Sequence, residues 1–289
     1  MQSYWFGDYD DDSCRCLFGR DDFDPEAISG RLLSLDNDMA EFSPLKRHII
    51  ENCGCFSSRR DYLKKLREVS VYMAVQKITE YFSRGDTVLL RMVRMLDEID
   101  TVINMLSGRA LEWYLAEHPD QASRSRVLAG RKGLQKMARG SSGSLGRLCH
   151  EIQKLADERN LLMKEINRRA DEVMPNCSAL VGGLVAARLL SRAGSLEAIS
   201  RMSAGTIQVL GAGNALFSHL RSGTPSPKHG IIFQHRRVHN APREVRGRVA
   251  RVLATKLAIA SRIDFYRGEV DEAFLASAQE KIDRAGVSG

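Results

Sequence analysis

The spacing of the prolines constrains this chain more than any other feature. After Pro44 there is none until Pro119, and then none until Pro175. An interior proline removes a hydrogen bond and costs a helix about 3 kcal/mol, so these stretches can hold long helices. The apolar residues match. In the first stretch they recur in steps of three and four at Val71, Val75, Ile78, Phe82, Leu89, Met92, Leu96, Ile99, Ile103, Leu106, Ala110 and Trp113, with Gly85 the one break. A second seam runs Leu145, Leu148, Ile152, Leu155, Arg159, Leu162, Ile166, Arg169, Val173, with the two arginines as weak points. Sustained three-four spacing predicts coiled-coil packing. Pro119 to Gly146 is rich in Gly, Ser and Arg and reads as a flexible turn, so the two helices form an antiparallel hairpin. Two core helices of one globular bundle are the alternative.

Ahead of the hairpin, Tyr4–Phe6 and Cys16–Phe18 flank an acidic, turn-prone run and read as a small strand pair. Ile28 to Leu33, Leu45 to Asn52 and a start at Asp61 read as helical. Beyond Pro175 one helix is expected to Gly194, with Ala179, Gly183 and Ala187 as a stripe permitting close approach. Further helices are expected at Asn214–Arg221, from Pro242 to Tyr266 and over Val270–Ala285. The fold class is mainly α. It comprises a small N-terminal α/β domain over 1–65, an antiparallel coiled-coil hairpin over 66–174 and an all-helical domain over 175–289.

Charge is segregated. Residues 1–26 hold eight acids and two arginines, whereas 219–262 hold ten Lys and Arg, one acid (Glu244) and four of the seven histidines. Such asymmetry suggests different partners at the two ends. No run approaches the ~20 apolar residues of a membrane span, and the acidic start is unlike a secretory signal. A cytoplasmic location with reduced thiols is the expectation. Cys14-Arg-Cys16 and Cys53-Gly-Cys55 have one intervening residue where zinc knuckles have two or more, so the cysteines read as reduced and structural, with no metal site.

In the helix after Pro242, Val245, Val249, Val252, Leu253, Leu257, Ala260 and Ile263 share one side. Arg248, Arg251 and Arg262 fall within about 60° of each other on another. Arg243 and Arg246 occupy its first turn, where the dipole favours an anion. Arginine forks suit phosphate, and ten bases against one acid exceed what a merely solvated face needs. Phe233, His235 and His239 are the aromatic candidates for stacking, too few for reading a long single strand. His229 and His235 could serve as acid and base in RNA cleavage, but no carboxylate lies near them in sequence to orient an imidazole. No catalytic residue is assigned; a His-dependent RNase is the remote alternative.

The residues become specific from Asn176 to Arg267. Ser-Ala-Leu-Val-Gly (178–182), Ala-Gly-Ser-Leu (193–196), Thr-Ile-Gln-Val-Leu-Gly-Ala (206–212), Ala-Leu-Phe (215–217), Pro-Lys-His-Gly (227–230), Ile-Phe-Gln-His (232–235) and Lys-Leu-Ala-Ile-Ala-Ser-Arg-Ile-Asp (256–264) together resemble the Nop domain of box C/D ribonucleoprotein scaffolds. Upstream, Leu-Asp-Glu-Ile-Asp (96–100) and Glu-Trp-Tyr (112–114) resemble the coiled coil of the archaeal members. The resemblance implies a non-catalytic scaffold that grips box C/D guide RNA at a kink-turn together with a ribosomal-type kink-turn protein. It also implies self-pairing through the coiled coil and an N-terminal domain that holds fibrillarin for 2′-O-methylation of rRNA or tRNA. S-adenosylmethionine would belong to fibrillarin, and the scaffold would need no cofactor.

Carried over, the RNA-facing candidates are Gln208, Lys228, His229, Gln234, His235, Arg236, Arg243, Arg246, Arg248 and Arg251. Gly211, Ala212, Gly213, Asn214 and Leu216 would meet RNA and kink-turn protein together. The coil seam would be Leu89, Met92, Leu96, Ile99, Ile103, Leu106, Leu155, Leu162 and Ile166. Gly213-Asn214 stands where the family has Glu-Lys, and the turn between the seams is shorter and richer in Gly and Ser. No Lys-rich tail follows Gly289, which resembles the archaeal type; a spliceosomal-type scaffold without fibrillarin is the runner-up.

Overall fold

The computed structural model describes residues 2–10, 13–18, 22–35, 49–50, 53–124, 130–141 and 143–286. These form two compact units, 1–83 and 84–289. The division differs from the boundaries at 65 and 174 that the sequence suggests, for reasons visible in the packing.

In the first unit, β1 (Gln2–Tyr4), β2 (Gly7–Asp10) and β3 (Ser13–Cys16) form an antiparallel sheet in the order 1-2-3. The expected pair of strands is thus a three-strand meander. The acidic run read as a turn supplies the central strand, with Gln2 opposite Tyr9 and Gly7 opposite Cys16. Helices α1 (Pro25–Leu35) and α2 (Arg59–Ser83) complete the unit. The helix expected at Leu45–Asn52 lies outside the described residues except for Ile49 and Ile50, which are helical. Phe6, Phe18, Ile28 and Phe56 centre the core, the Phe6 and Phe56 rings lying 5.1 Å apart edge to face.

The cysteine expectation is corrected here. Cys16 and Cys55 are joined in a disulfide. Both residues pack on the aromatic core, which brings the end of β3 against the segment leading into α2. Cys53 is a buried free thiol.

The seam does not continue as one helix. Arg84 is extended, ends α2 and precedes α3 (Gly85–Glu117). At Gly85 a Cβ would sit 3.1 Å from Val173 Cγ2, so the glycine serves close packing. Val71, Val75, Ile78 and Phe82 on α2 are exposed, so the seam's first third is not buried.

The second unit begins with the hairpin of α3 and α5 (Ser144–Val173). Leu89, Leu96 and Ile166 are buried in its seam, and Met92, Ile99, Ile103, Leu155 and Leu162 are partly buried. Leu106 and Leu148 face solvent, Cys149 taking the buried place beside Leu148. The weak point at Arg159 is compensated, since its Nε and Nη2 donate to Asp100 of α3 at 2.7 and 3.0 Å.

The described residues between them are folded. A 3-10 turn (Pro119–Arg124) and α4 (Arg131–Gly140) lie there, and Leu134 and Met137 bury a small core with Ala110, Tyr114, Leu145, Cys149 and Ile152. Apolar spacing within α4 outweighs its glycines. Leu134 and Met137, three apart on α4, are buried against both hairpin helices, and each contributes about 1.5–3 kcal/mol by leaving solvent.

After Pro175 the expected single helix is two, α6 (Pro175–Val181) and α7 (Gly183–Ala193). Gly182, at φ +85°, breaks them, in a backbone region glycine enters freely. A Cβ on Gly183 would lie 2.8 Å from Asn167 Cα, so α7 crosses α5 at backbone distance. Helices α8 (Leu196–Arg201), α9 (Ala204–Val209), α10 (Gly213–Ser222), α11 (Arg236–His239), α12 (Arg246–Tyr266) and α13 (Glu272–Gly286) follow. One core runs from Leu89, Val93 and Leu96 through Ile166 and Ala187 to Leu253, Leu257 and Ile282. The base of the hairpin is therefore part of the C-terminal core and not a separate spacer.

Distant side chains cap the short helices. Both carboxylate oxygens of buried Asp264 accept backbone N–H bonds at the start of α6, from Asn176 at 2.8 Å and Cys177 at 2.9 Å. The Asn176 side chain adds a bond to Asp264 and accepts one from Asp271 N at 2.8 Å. Asp86 accepts from Leu196 N at 3.0 Å, and Asn167 from Leu184 N at 2.8 Å. Short helices leave their first amides open, and these contacts satisfy them.

Candidate nucleic-acid interface

The interface begins where two segments cross. Gly230 N donates to Gln208 O and Ile231 N to Leu210 O, each at 2.8 Å, and Gln208 Nε2 donates to Lys228 O at 2.7 Å. Only glycine fits the crossing. A Cβ on Gly230 would sit 2.0 Å from Leu210 O, and one on Gly211, itself at φ +84°, 2.6 Å from Ile231 Cγ1. Gln208, Gly211, Lys228 and His229 are thereby brought to one place.

The start of α12 joins them. The turn at Pro242 leaves Arg243 ahead of the helix, exposed, and α12 begins only at Arg246. Arg246 donates through Nε and Nη2 to Ala241 O at 3.3 and 3.1 Å, and through Nη2 to His239 O at 3.3 Å. Its guanidinium carbon lies 5.3 Å over the Phe233 ring, which also stacks on His229 at 4.5 Å and meets His239 at 4.9 Å. Burial, then the charges of Arg246 and Lys228, hold the His229 imidazole below the usual histidine range. It is neutral near pH 7 and presents a ring face and not a fixed charge.

A second group lies beside the first. Gln234 Oε1 accepts from Arg188 at 2.7 Å, and Arg188 is held by Asp97 at 3.1 Å. His235 is half-buried, its Nδ1 without a partner among the described residues, facing a cleft lined by Leu180, Gly182, Arg236 and Gln279. Burial first, and Arg236 and Arg237 after it, depress its pKa. Arg237 pairs with Asp283 at 2.7 Å, while Arg236 is exposed.

The arginine face of α12 is divided. Arg251 is exposed, Arg248 Nε donates to Ala285 O at 3.1 Å, and Arg262 Nε donates to Ser200 O at 3.1 Å near the far end of the helix. Angular spacing placed Arg262 with the others, but fourteen residues separate it from Arg248 and its fork is engaged elsewhere. The helix buries Ala250, Ala254 and Ala258 beyond the expected apolar side, because neighbours pack around more than half of it.

The loop Gly211–Ala212 leads into α10, none of whose residues is buried. Leu216 lies at the edge of exposure, with Phe217 at 70% and Leu220 at 72%. Phe217 and Leu220 are surface candidates beyond those the resemblance carries over; in the sequence the only trace of them is the apolar spacing Leu216, Phe217, Leu220, which does not tell a buried face from an exposed one.

These features define a helical domain with a basic, glycine-pinned surface. The family model described as "Nop: snoRNA binding domain, fibrillarin" matches residues 121–284, more than half of the chain, and the chain belongs to that family. An uncharacterised NOP5-family protein of Methanocaldococcus jannaschii is 30% identical over 266 residues, covering 80% of this chain and 64% of that protein. Nucleolar protein 58 of Mycosarcoma maydis is 30% identical over 62% of this chain and 37% of its own length. Human nucleolar protein 56 is 28% identical over 72% of this chain and 42% of its own length. The chain thus spans less than two thirds of each of these relatives. A crystal structure of a fibrillarin/Nop5p complex matches 98% of both chains at 28% identity and a TM-score of 0.51. Among the described residues no helix is long and apolar enough to cross a membrane.

Proposed function

We propose that this chain is a non-catalytic scaffold of a box C/D guide ribonucleoprotein. The observation that carries the reading is the crossing that brings Gln208, Gly211, Lys228 and His229 together, with His229 and Arg246 both on the Phe233 ring, within a domain of the snoRNA-binding Nop family. The surface offers a ring stack and cations but few base-reading groups, which suits a kink-turn's shape and phosphates. The exposed Leu216, Phe217 and Leu220 of α10 supply an apolar contact for a kink-turn protein bound to the same RNA. A similar solved structure is named as a fibrillarin/Nop5p complex, which supports fibrillarin as a partner; fibrillarin, with its S-adenosylmethionine, would dock on the N-terminal unit. Two scaffold copies would pair through the hairpin. The contribution to methylation is positioning, which can supply a large part of a rate enhancement.

Gel shifts with kink-turn RNA, with and without a ribosomal-type kink-turn protein, test the composite surface. Binding should tighten when the protein is present; equal affinity overturns that part. Arg251→Ala should weaken all RNA sequences alike and reduce the salt slope by about 0.7–0.9. Loss confined to some sequences would mean base reading. Calorimetry with fibrillarin should give a binding isotherm, and its absence would favour a spliceosomal-type scaffold.

A further inference from the structure

The folded tip of the hairpin plays no part in the surface described above, yet it carries an open cleft of about 670 Å³ between α4 and the start of α5. Arg139, Arg147 and His150 line it. Its carboxylate, Glu151, is engaged by Lys154 at 2.9 Å, so the lining is net positive. Ser141 and Gln153 also line it, and Ser141 Oγ and Gln153 Nε2 are buried with no hydrogen-bond partner among the described residues. Together with the two arginines and His150 they give the cleft a polar, cationic wall. The cleft also borders the N-terminus of the thirty-residue helix α5, whose N-cap Gly143 offers no side-chain bond to the first-turn amides. Such amides favour an anion. The site is held in shape. A Cβ on Gly146 would lie 2.3 Å from Ser141 O, and Leu134, Met137 and Leu145 pack beneath.

We propose that this cleft is a second anion site, taking a phosphate group of an RNA strand. The inference rests on the RNA-binding reading above. The cleft is open, and the sequence from Arg124 to Lys154 carries eight Lys and Arg against one acid, a distribution that suits an extended polyanion better than an enclosed small ion.

The test uses the full chain and the double variant Arg139→Ala/Arg147→Ala, with Arg139→Lys/Arg147→Lys as the charge-keeping control. Both arginines are exposed, so the melting temperature should not move. Fluorescence anisotropy with kink-turn RNA across a salt series should show the Ala variant's slope reduced by about 1.5, with about tenfold weaker binding, and the Lys variant close to wild type. Ultraviolet cross-linking should place RNA on peptides within 131–154 in the wild type and lose it in the Ala variant. Unchanged slope and unchanged cross-links overturn the proposal. If RNA binding is unchanged while titrated inorganic phosphate binds the wild type and not the Ala variant, the site takes a free anion and the RNA assignment is overturned. If the wild type binds no RNA, the scaffold reading fails with the RNA assignment, and the phosphate titration then decides the anion site alone.

Discussion

At the scale of single residues, one sequence element can serve quite different purposes. The Lys256–Asp264 segment resembles its family throughout, but Asp264 faces inward, where it satisfies the start of α6 and, after burial itself, helps push the Cys177 thiol well above its ordinary range. Arg246 holds a loop and lies over a ring, whereas Arg251 projects into solvent. The histidines give a pH prediction. His229 and His235 have folded pKa values below the ordinary 6.5, so between those values the unfolded chain binds more protons than the folded one. Stability should be highest above pH 6.5 and fall as the pH drops from there through the folded pKa values. Thermal melts from pH 7.5 to 5 should show this decline, and His229→Gln/His235→Gln should flatten it. A double variant with the wild-type profile would mean that other groups set the dependence.

At the scale of elements, helix contacts depend on where glycine sits. Gly183 allows α7 to meet α5 at backbone distance, whereas Gly108, inside α3, has open space where its Cβ would be. Gly183→Ala should therefore destabilise by about 1–3 kcal/mol through forced separation of the helices. Gly108→Ala should stabilise by about 0.5–1 kcal/mol through helix propensity alone. Urea denaturation of the two variants checks both signs. Equal shifts would mean that the α5–α7 crossing is not tight. The stripe Ala179, Gly183, Ala187 was legible as a close-packing signal, but the break at Gly182 turned Ala179 outward to solvent. The tip helix α4 was not legible, because Gly133 and Gly140 lie within a Gly- and Ser-rich stretch while its partners Ala110 and Tyr114 lie twenty or more residues upstream.

At the scale of the whole molecule, the two units have separate cores. Residues 84–289 alone should melt cooperatively and keep RNA binding, since every RNA-facing candidate lies within them. They should lose fibrillarin if it docks on the first unit. Calorimetry and anisotropy on that fragment read both. A fragment that fails to fold would make the first unit necessary to the second, and one that still binds fibrillarin would move docking to the hairpin. The expected division at 174 was overridden because α7 packs against both α3 and α5, joining the hairpin's base to the C-terminal core.

Local chemistry determined what local chemistry can. Proline spacing and three-four apolar periodicity specified the long helices, and the motif runs beyond Pro175 specified the family and which segment carries the positive charge. These signals lie within a few turns of chain, where backbone geometry alone sets which residues share a face. Other outcomes needed partners distant in sequence. Asp100 satisfies Arg159 across 59 positions, Asp264 caps a helix 88 positions away, and Arg262 is drawn to Ser200 and so away from the basic surface. Periodicity reports which side of a helix is apolar, but only packing decides which polar groups are buried together and which cations remain available to a phosphate.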